Sequence, residues 1–135
     1  MDNLTPEQRR KNMQNIRSQG TKPELAIIKE LKRRKIYFAI NVKKIYGKPD
    51  IVFRRKKIAI FIDSDFWHGH PQRFIMPKTN LDYWKKKLKR NKDRDILVNQ
   101  KLTEMGWHVI RIWEYDIKKN LEDCVQNIIQ TYESR

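Results

Sequence analysis

The sequence predicts a mixed α/β domain: a central mixed sheet of about four strands flanked by helices, with an N-terminal helical arm. Three observations lead there. Short apolar runs of strand length occur at 35–42, 50–53, 58–63 and 107–113, and "RRKK" joins two of them as a hairpin would. Longer stretches with apolar residues three and four apart lie around these runs. The resulting order, α-α-β-β-β-α-β-α, is that of a sheet flanked by helices. A length of 135 residues suits one domain, divided into an arm at 1–20 and a body at 21–135.

Taken in chain order, "TPEQ" opens the first helix, with Thr5 as cap and Pro6 in the first turn. Only Met13 and Ile16 are apolar in the segment after it, so this helix suits an arm that orders on a partner. Gly20 ends it. Thr21 caps a second helix, Pro23 sits in its first turn and Glu24 in the capping-box position. Leu25, Ile28 and Leu31 are its expected apolar stripe. "KIYFAINV", "DIVF" and "IAIFID" are strands, and "IYGKPD" is a turn. Thr79 is the expected cap of a long helix running to about Met105. "WHVIRIW" is the fourth strand and "DIKKNLEDCVQNIIQTY" a single last helix.

Composition narrows the function. Lys and Arg number 31 against 16 Asp and Glu, a net charge of +15. Such a charge calls for an anionic partner, and nucleic acid is the commonest. No apolar run is long enough to span a bilayer, and the polar N-terminus reads as no signal peptide. The single cysteine, Cys124, excludes an internal disulfide and a multi-cysteine zinc cluster and fits a reducing cytoplasm. The cations cluster at 32–35, at 54–57 and in "KKKLKRNKDR", where Lys85, Lys89, Arg90 and Arg94 are the expected phosphate contacts together with Asn91.

Several polar residues break their own patterns. The long helix presents Trp84, Leu88, Asn91, Asp95, Val98, Leu102 and Met105 on one face. Asp95 stands where an apolar residue would pack better, and a buried carboxylate without partners is costly. Asp50 opens one strand and Asp63 closes the next, which brings two acids to one sheet edge. Paired carboxylates of this kind hold hard cations such as Mg²⁺ together with substrate phosphate. The loop after Asp63 carries His68, able to orient or deprotonate water near neutral pH, and His70. Phe66 and Trp67 beside them suit stacking on bases or wedging between base pairs, or serve equally as a hydrophobic plug.

The stretches "RRKNMQNIRSQGTKPELAI", "GKPDIVF", "IFIDSDFWHGH", "PKTNLDYWKKKLKRNKDRD" and "GWHVIRIWE" together resemble a family. The acid-closed hairpin is similar to the PD-(D/E)xK nuclease core, which implies a restriction-endonuclease-like fold. More closely, the chain resembles the very-short-patch-repair (Vsr) endonucleases over roughly residues 8 to 115. The resemblance implies a Mg²⁺-dependent endonuclease, with Mn²⁺ as a substitute, that nicks one strand of duplex DNA at T:G mismatches. The product it implies is a 5′-phosphate. Carried over by position, Asp50 is the central metal ligand with Asp63 beside it, His68 acts on water, and Glu24 and Asp95 complete the site. Phe66, Trp67 and Trp84 match DNA-wedging aromatics, and Met13 enters from the other groove.

Two departures stand out. Where the family carries zinc-binding cysteines, this sequence has Asp65, His70 and Tyr115, so no structural zinc is expected. "DSD" replaces the D/E-x-K of the wider class, and His68 would supply the missing function. The resemblance further implies a bacterial, cytoplasmic monomer acting on double-stranded DNA beside mismatch-repair proteins and a cytosine methyltransferase. The alternatives are a restriction-linked or mobile-element nuclease with another target, and a DNA-binding protein that has lost its chemistry.

Overall fold

The computed structural model describes residues 21–64 and 79–135. The arm and the segment at 65–78 lie outside the described residues, and with them the roles expected of Met13, Phe66, Trp67 and His68. What is described is a four-stranded mixed sheet with helices on both faces.

The elements are α1 (Lys22–Arg33), β1 (Ala39–Ile40), β2 (Ile51–Phe53), β3 (Ile58–Asp63), α2 (Leu81–Glu104), β4 (His108–Trp113), α3 (Glu114–Lys119) and α4 (Leu121–Ser134). The sheet order is β1-β2-β3-β4. The first three strands form an antiparallel meander, in which Ile51 pairs with Ile60 and Phe53 with Ile58. A helical crossover through α2 makes β4 parallel to β3, from Ile58 opposite His108 to Asp63 opposite Trp113. β2 therefore starts where β3 and β4 end.

Alternation along the strands separates two cores. Ile51, Phe53, Ile58, Ile60 and Ile112 pack with Ile27, Ile28 and Leu31 of α1 and with Ile117, Val125 and Ile128 of α3 and α4. Ala59 and Phe61 face the other way, onto Val98 and Leu102 of α2. Cys124 belongs to the first core. Burial pushes its thiol up, reinforced by Asp116 and Asp123, so it stays protonated and inert.

Some boundaries differ from the sequence expectation. The stripe of α1 is Ile27, Ile28 and Leu31, while Leu25 is half exposed. β1 keeps two of its eight expected residues and ends before Asn41, which adopts a left-handed conformation (φ 51°). The cap of α2 is Asn80 (φ 56°), one residue beyond Thr79. The expected last helix is two, divided at Asn120, whose N–H still bonds to the Asp116 carbonyl while its own carbonyl starts α4. Asn is a poor helix former and tolerates such a break. Met105 is the C-cap of α2 and is exposed, so the apolar stripe stops at Leu102.

Glycine is required at the turn before Pro49. Gly47 has φ +82°, and a Cβ there would stand 2.5 Å from Val98 Cγ1 and 3.3 Å from Phe61 Cζ. This close approach seats the turn ahead of Asp50 against α2.

Candidate active site

Antiparallel pairing of β2 with β3 brings their carboxylates to one end of the sheet. Asp50 sits one step before Ile51; its N–H donates to the Ile60 carbonyl at 3.0 Å. Its Oδ2 accepts the Ile62 N–H at 2.7 Å, which fixes the side chain along the end of β3. Asp63 closes that strand and is 6 % exposed. Two acids predicted to meet at a strand mouth thus both occupy the end where β2 begins and β3 finishes.

Asp95 approaches the same end from α2. It is half-buried, and its Oδ1 lies 3.5 Å from Arg111 Nη1. The same Nη1 donates to Asp63 Oδ1 at 2.9 Å. Arg111 comes from the middle of β4, across from Phe61, and its guanidinium carbon stands 4.3 Å from that ring's centroid. Its Nε donates to Asn99 Oδ1 at 2.7 Å. One guanidinium therefore gathers Asp63, Asp95 and Asn99. Sequence reasoning missed Arg111, although the rule that found Asp95 applies to it: it is a charge inside the apolar run "HVIRIW".

Glu24 stands in the first turn of α1 and is 2 % exposed. Its N–H donates to Thr21 Oγ1 at 3.3 Å, one half of the expected capping box. A carboxylate in the first turn is also favoured by the positive end of the helix dipole.

Trp84, expected among the aromatics that face DNA, is 9 % exposed and packs edge-to-face with Tyr83 at 5.1 Å. Lys85, Lys89, Arg90 and Arg94 are all exposed, and Asn91 is half-buried on the sheet-facing side. Asp95 pairs with Arg111 at the level of Phe61, and the stretch from Leu81 to Arg94 that precedes it, about 20 Å of helix at 1.5 Å per residue, carries these exposed cations.

The donor set suits a hard divalent cation. Among the described residues no three His, Cys, Asp or Glu side chains converge as a ready-made cage. Mg²⁺ takes one or two carboxylates plus substrate phosphate and water, and needs no such cage. Asn41, whose N–H donates to the Asp50 carbonyl at 2.9 Å, has a buried Oδ1 with no hydrogen-bond partner among the described residues.

Residues 1–73 match the family model described as DNA mismatch endonuclease Vsr. The type II nicking enzyme V.NmeDIP of Neisseria meningitidis serogroup C is 43 % identical over 132 residues, 96 % of this chain and 89 % of that protein. V.HpaIIP of Haemophilus parainfluenzae, also named a type II nicking enzyme, is 45 % identical over 125 residues, 90 % and 89 % of the two chains. The DNA mismatch endonuclease Vsr of Escherichia coli K12 is 32 % identical over 107 residues, 78 % of this chain and 69 % of that one. Endonucleases of this family are generally metal-dependent, in keeping with the oxygen-rich sheet end, and DNA is their substrate. With its mixed sheet, clustered carboxylates and basic helix, the chain belongs to the Vsr family of DNA endonucleases.

Proposed function

We propose that this endonuclease nicks one strand of duplex DNA at T:G mismatches, with Mg²⁺ as its metal, in very short patch repair. The observation that carries the reading is that Asp50 and Asp63 share one sheet end, with Asp95 linked to Asp63 through Arg111 on a helix whose exposed face is basic. Acids kept at one sheet end in a protein of charge +15 need a task, and holding a cation against a DNA phosphate is one.

Asp50 and Asp63 are the metal-holding pair. When bound, the metal neutralises charge building up on the phosphate's non-bridging oxygens. His68 accepts a proton from water as the water oxygen attacks phosphorus in line. The P–O3′ bond breaks on the far side, the 3′ oxygen takes a proton from solvent, and the product carries a 5′-phosphate. Glu24 and Asp95 act around this centre, Asp95 through Arg111. Lys85, Lys89, Arg90 and Arg94 fix the backbone, with Asn91 on the inner side of the same helix turn. Met13, Phe66, Trp67 and Trp84 deform the duplex beside the mismatch. The arm at 1–20 is the DNA-contacting part and 21–135 the nuclease body. Mismatch-repair proteins and a cytosine methyltransferase are the expected functional companions.

A second reading is a nuclease tied to a restriction system with a different target. It is favoured by the relatives named type II nicking enzymes, at 43 % and 45 % identity against 32 % for the mismatch endonuclease. Both readings require metal-dependent cutting through Asp50. A strand-labelled T:G duplex incubated with Mg²⁺ should be nicked by the wild type. Asp50→Ala should lose at least about a thousandfold in rate, the scale of one transition-state charge stabiliser. Retention of full cutting by Asp50→Ala would remove Asp50 from the mechanism.

A further inference from the structure

We propose that Arg111 is a positioning residue for DNA cleavage, a resident cation that aims the Asp63 carboxylate at the metal held by Asp50. The inference rests on the reading of Asp50 and Asp63 as the metal-holding pair, and it assigns a role to a strand residue outside that pair. Three anchors set the guanidinium. Nε donates to Asn99 Oδ1 at 2.7 Å, Nη1 donates to Asp63 Oδ1 at 2.9 Å, and the guanidinium carbon lies 4.3 Å from the Phe61 ring centroid. The side chain is only 18 % exposed and that of Asp63 9 %, so the pair is largely shielded from competing water.

A planar fork differs from a point charge. Anchored at Nε by Asn99 and held over the Phe61 ring, the guanidinium presents Nη1 in one direction. Asp63 Oδ1 is then committed to Arg111, and its orientation about the strand end is fixed before any metal arrives. The same nitrogen lies 3.5 Å from Asp95 Oδ1, which offsets the repulsion between two acids. Asp95 and Asn99 are four residues apart on α2, so one helical face supplies both partners. The ion pair thus couples the long helix to the sheet end where the chemistry is proposed. Groups that orient metal ligands from behind cost about ten- to a hundredfold in metal affinity or activity when altered.

Arg111→Lys keeps the charge and loses the fork, and so separates positioning from simple charge balance. The variant should unfold at the wild-type temperature within a few degrees. Its Mn²⁺ affinity, read by electron paramagnetic resonance on protein without DNA, should fall about tenfold or more. Its single-turnover nicking rate should fall by a similar factor, with the DNA concentration for half-saturation unchanged. Asn99→Ala, which removes only the Nε anchor, should move Mn²⁺ affinity in the same direction by a smaller factor. Wild-type Mn²⁺ affinity and nicking rate in a folded Arg111→Lys would overturn the proposal. If Arg111→Lys does not fold, Asn99→Ala decides: wild-type Mn²⁺ affinity there overturns it. A wild-type protein that binds Mn²⁺ but nicks no T:G duplex contradicts the target and leaves the Mn²⁺ comparison to judge Arg111. A wild type that binds no Mn²⁺ overturns both.

Discussion

Glu30 carries two arginines. Arg34 Nη1 stands 2.6 Å and Arg33 Nη2 2.9 Å from its Oε2. The Arg34 hydrogen bond, ahead of the contribution of Arg33, holds its carboxyl below the usual value of 4.5. A folded-state pKa that is lowered gives stability that is complete above the unfolded value and is lost as pH falls through the folded one. Glu30→Gln should therefore be less stable than wild type at neutral pH, and the two should converge in acid. Urea unfolding at stepped pH reads this directly, and a gap that widened on acidification would contradict it. The same scale shows what the residues disclosed in advance. Asp50, Asp63 and Asp95 were legible because each is a charge at a position its element would give to an apolar or turn residue. Arg111 obeys the same rule, but one charge in the apolar run of β4 leaves its strand pattern intact and so does not stand out from it. Glu24 was placed on the right helix turn, but its burial depends on packing that no local pattern encodes.

At the scale of elements, two helices end with the same hydrogen bonds on different residues. At the end of α2, Gly106 N–H bonds to the Thr103 carbonyl at 3.0 Å and Trp107 N–H to Leu102 at 2.9 Å, with Gly106 at φ +88°. At the end of α1, Lys35 N–H bonds to Lys32 at 3.0 Å and Ile36 N–H to Leu31 at 3.2 Å, with Lys35 at φ 58°. Both are Schellman caps, which call for a left-handed residue and favour glycine. Lys35→Gly should stabilise the fold by about 0.5–1 kcal/mol, and Gly106→Ala should destabilise it by about 1 kcal/mol. Denaturant unfolding of the two variants should show opposite signs; a shared sign would refute the cap argument. β3, the hairpin at 54–57 and the extent of α2 were readable because apolar period and turn chemistry agree there. The truncation of β1 at Asn41 and the break at Asn120 were not. The first follows from a left-handed conformation that asparagine permits without requiring it, the second from a non-helical backbone at Asn120 (φ −135°).

For the whole molecule, the charge is arranged as well as large. The carboxylates of the proposed centre lie at one sheet end, while the exposed cations of α2 are spread over the roughly 20 Å of helix that precede Asp95. A duplex drawn in by this basic surface would meet the acids at its end, and each phosphate neutralised would make binding more salt-sensitive. Among the described residues no helix is long and apolar enough to cross a membrane. The fold class and the DNA substrate follow from the chain as a whole, whereas the target base pair depends on details of a few side chains. The most direct test compares two labelled duplexes that differ in one T:G pair, incubated with Mg²⁺ and wild-type protein. The account predicts a single nick on the T strand of the mismatched duplex, leaving a 5′-phosphate, and no cut in the matched one. Equal cutting of both duplexes would contradict mismatch repair and favour the restriction-linked reading.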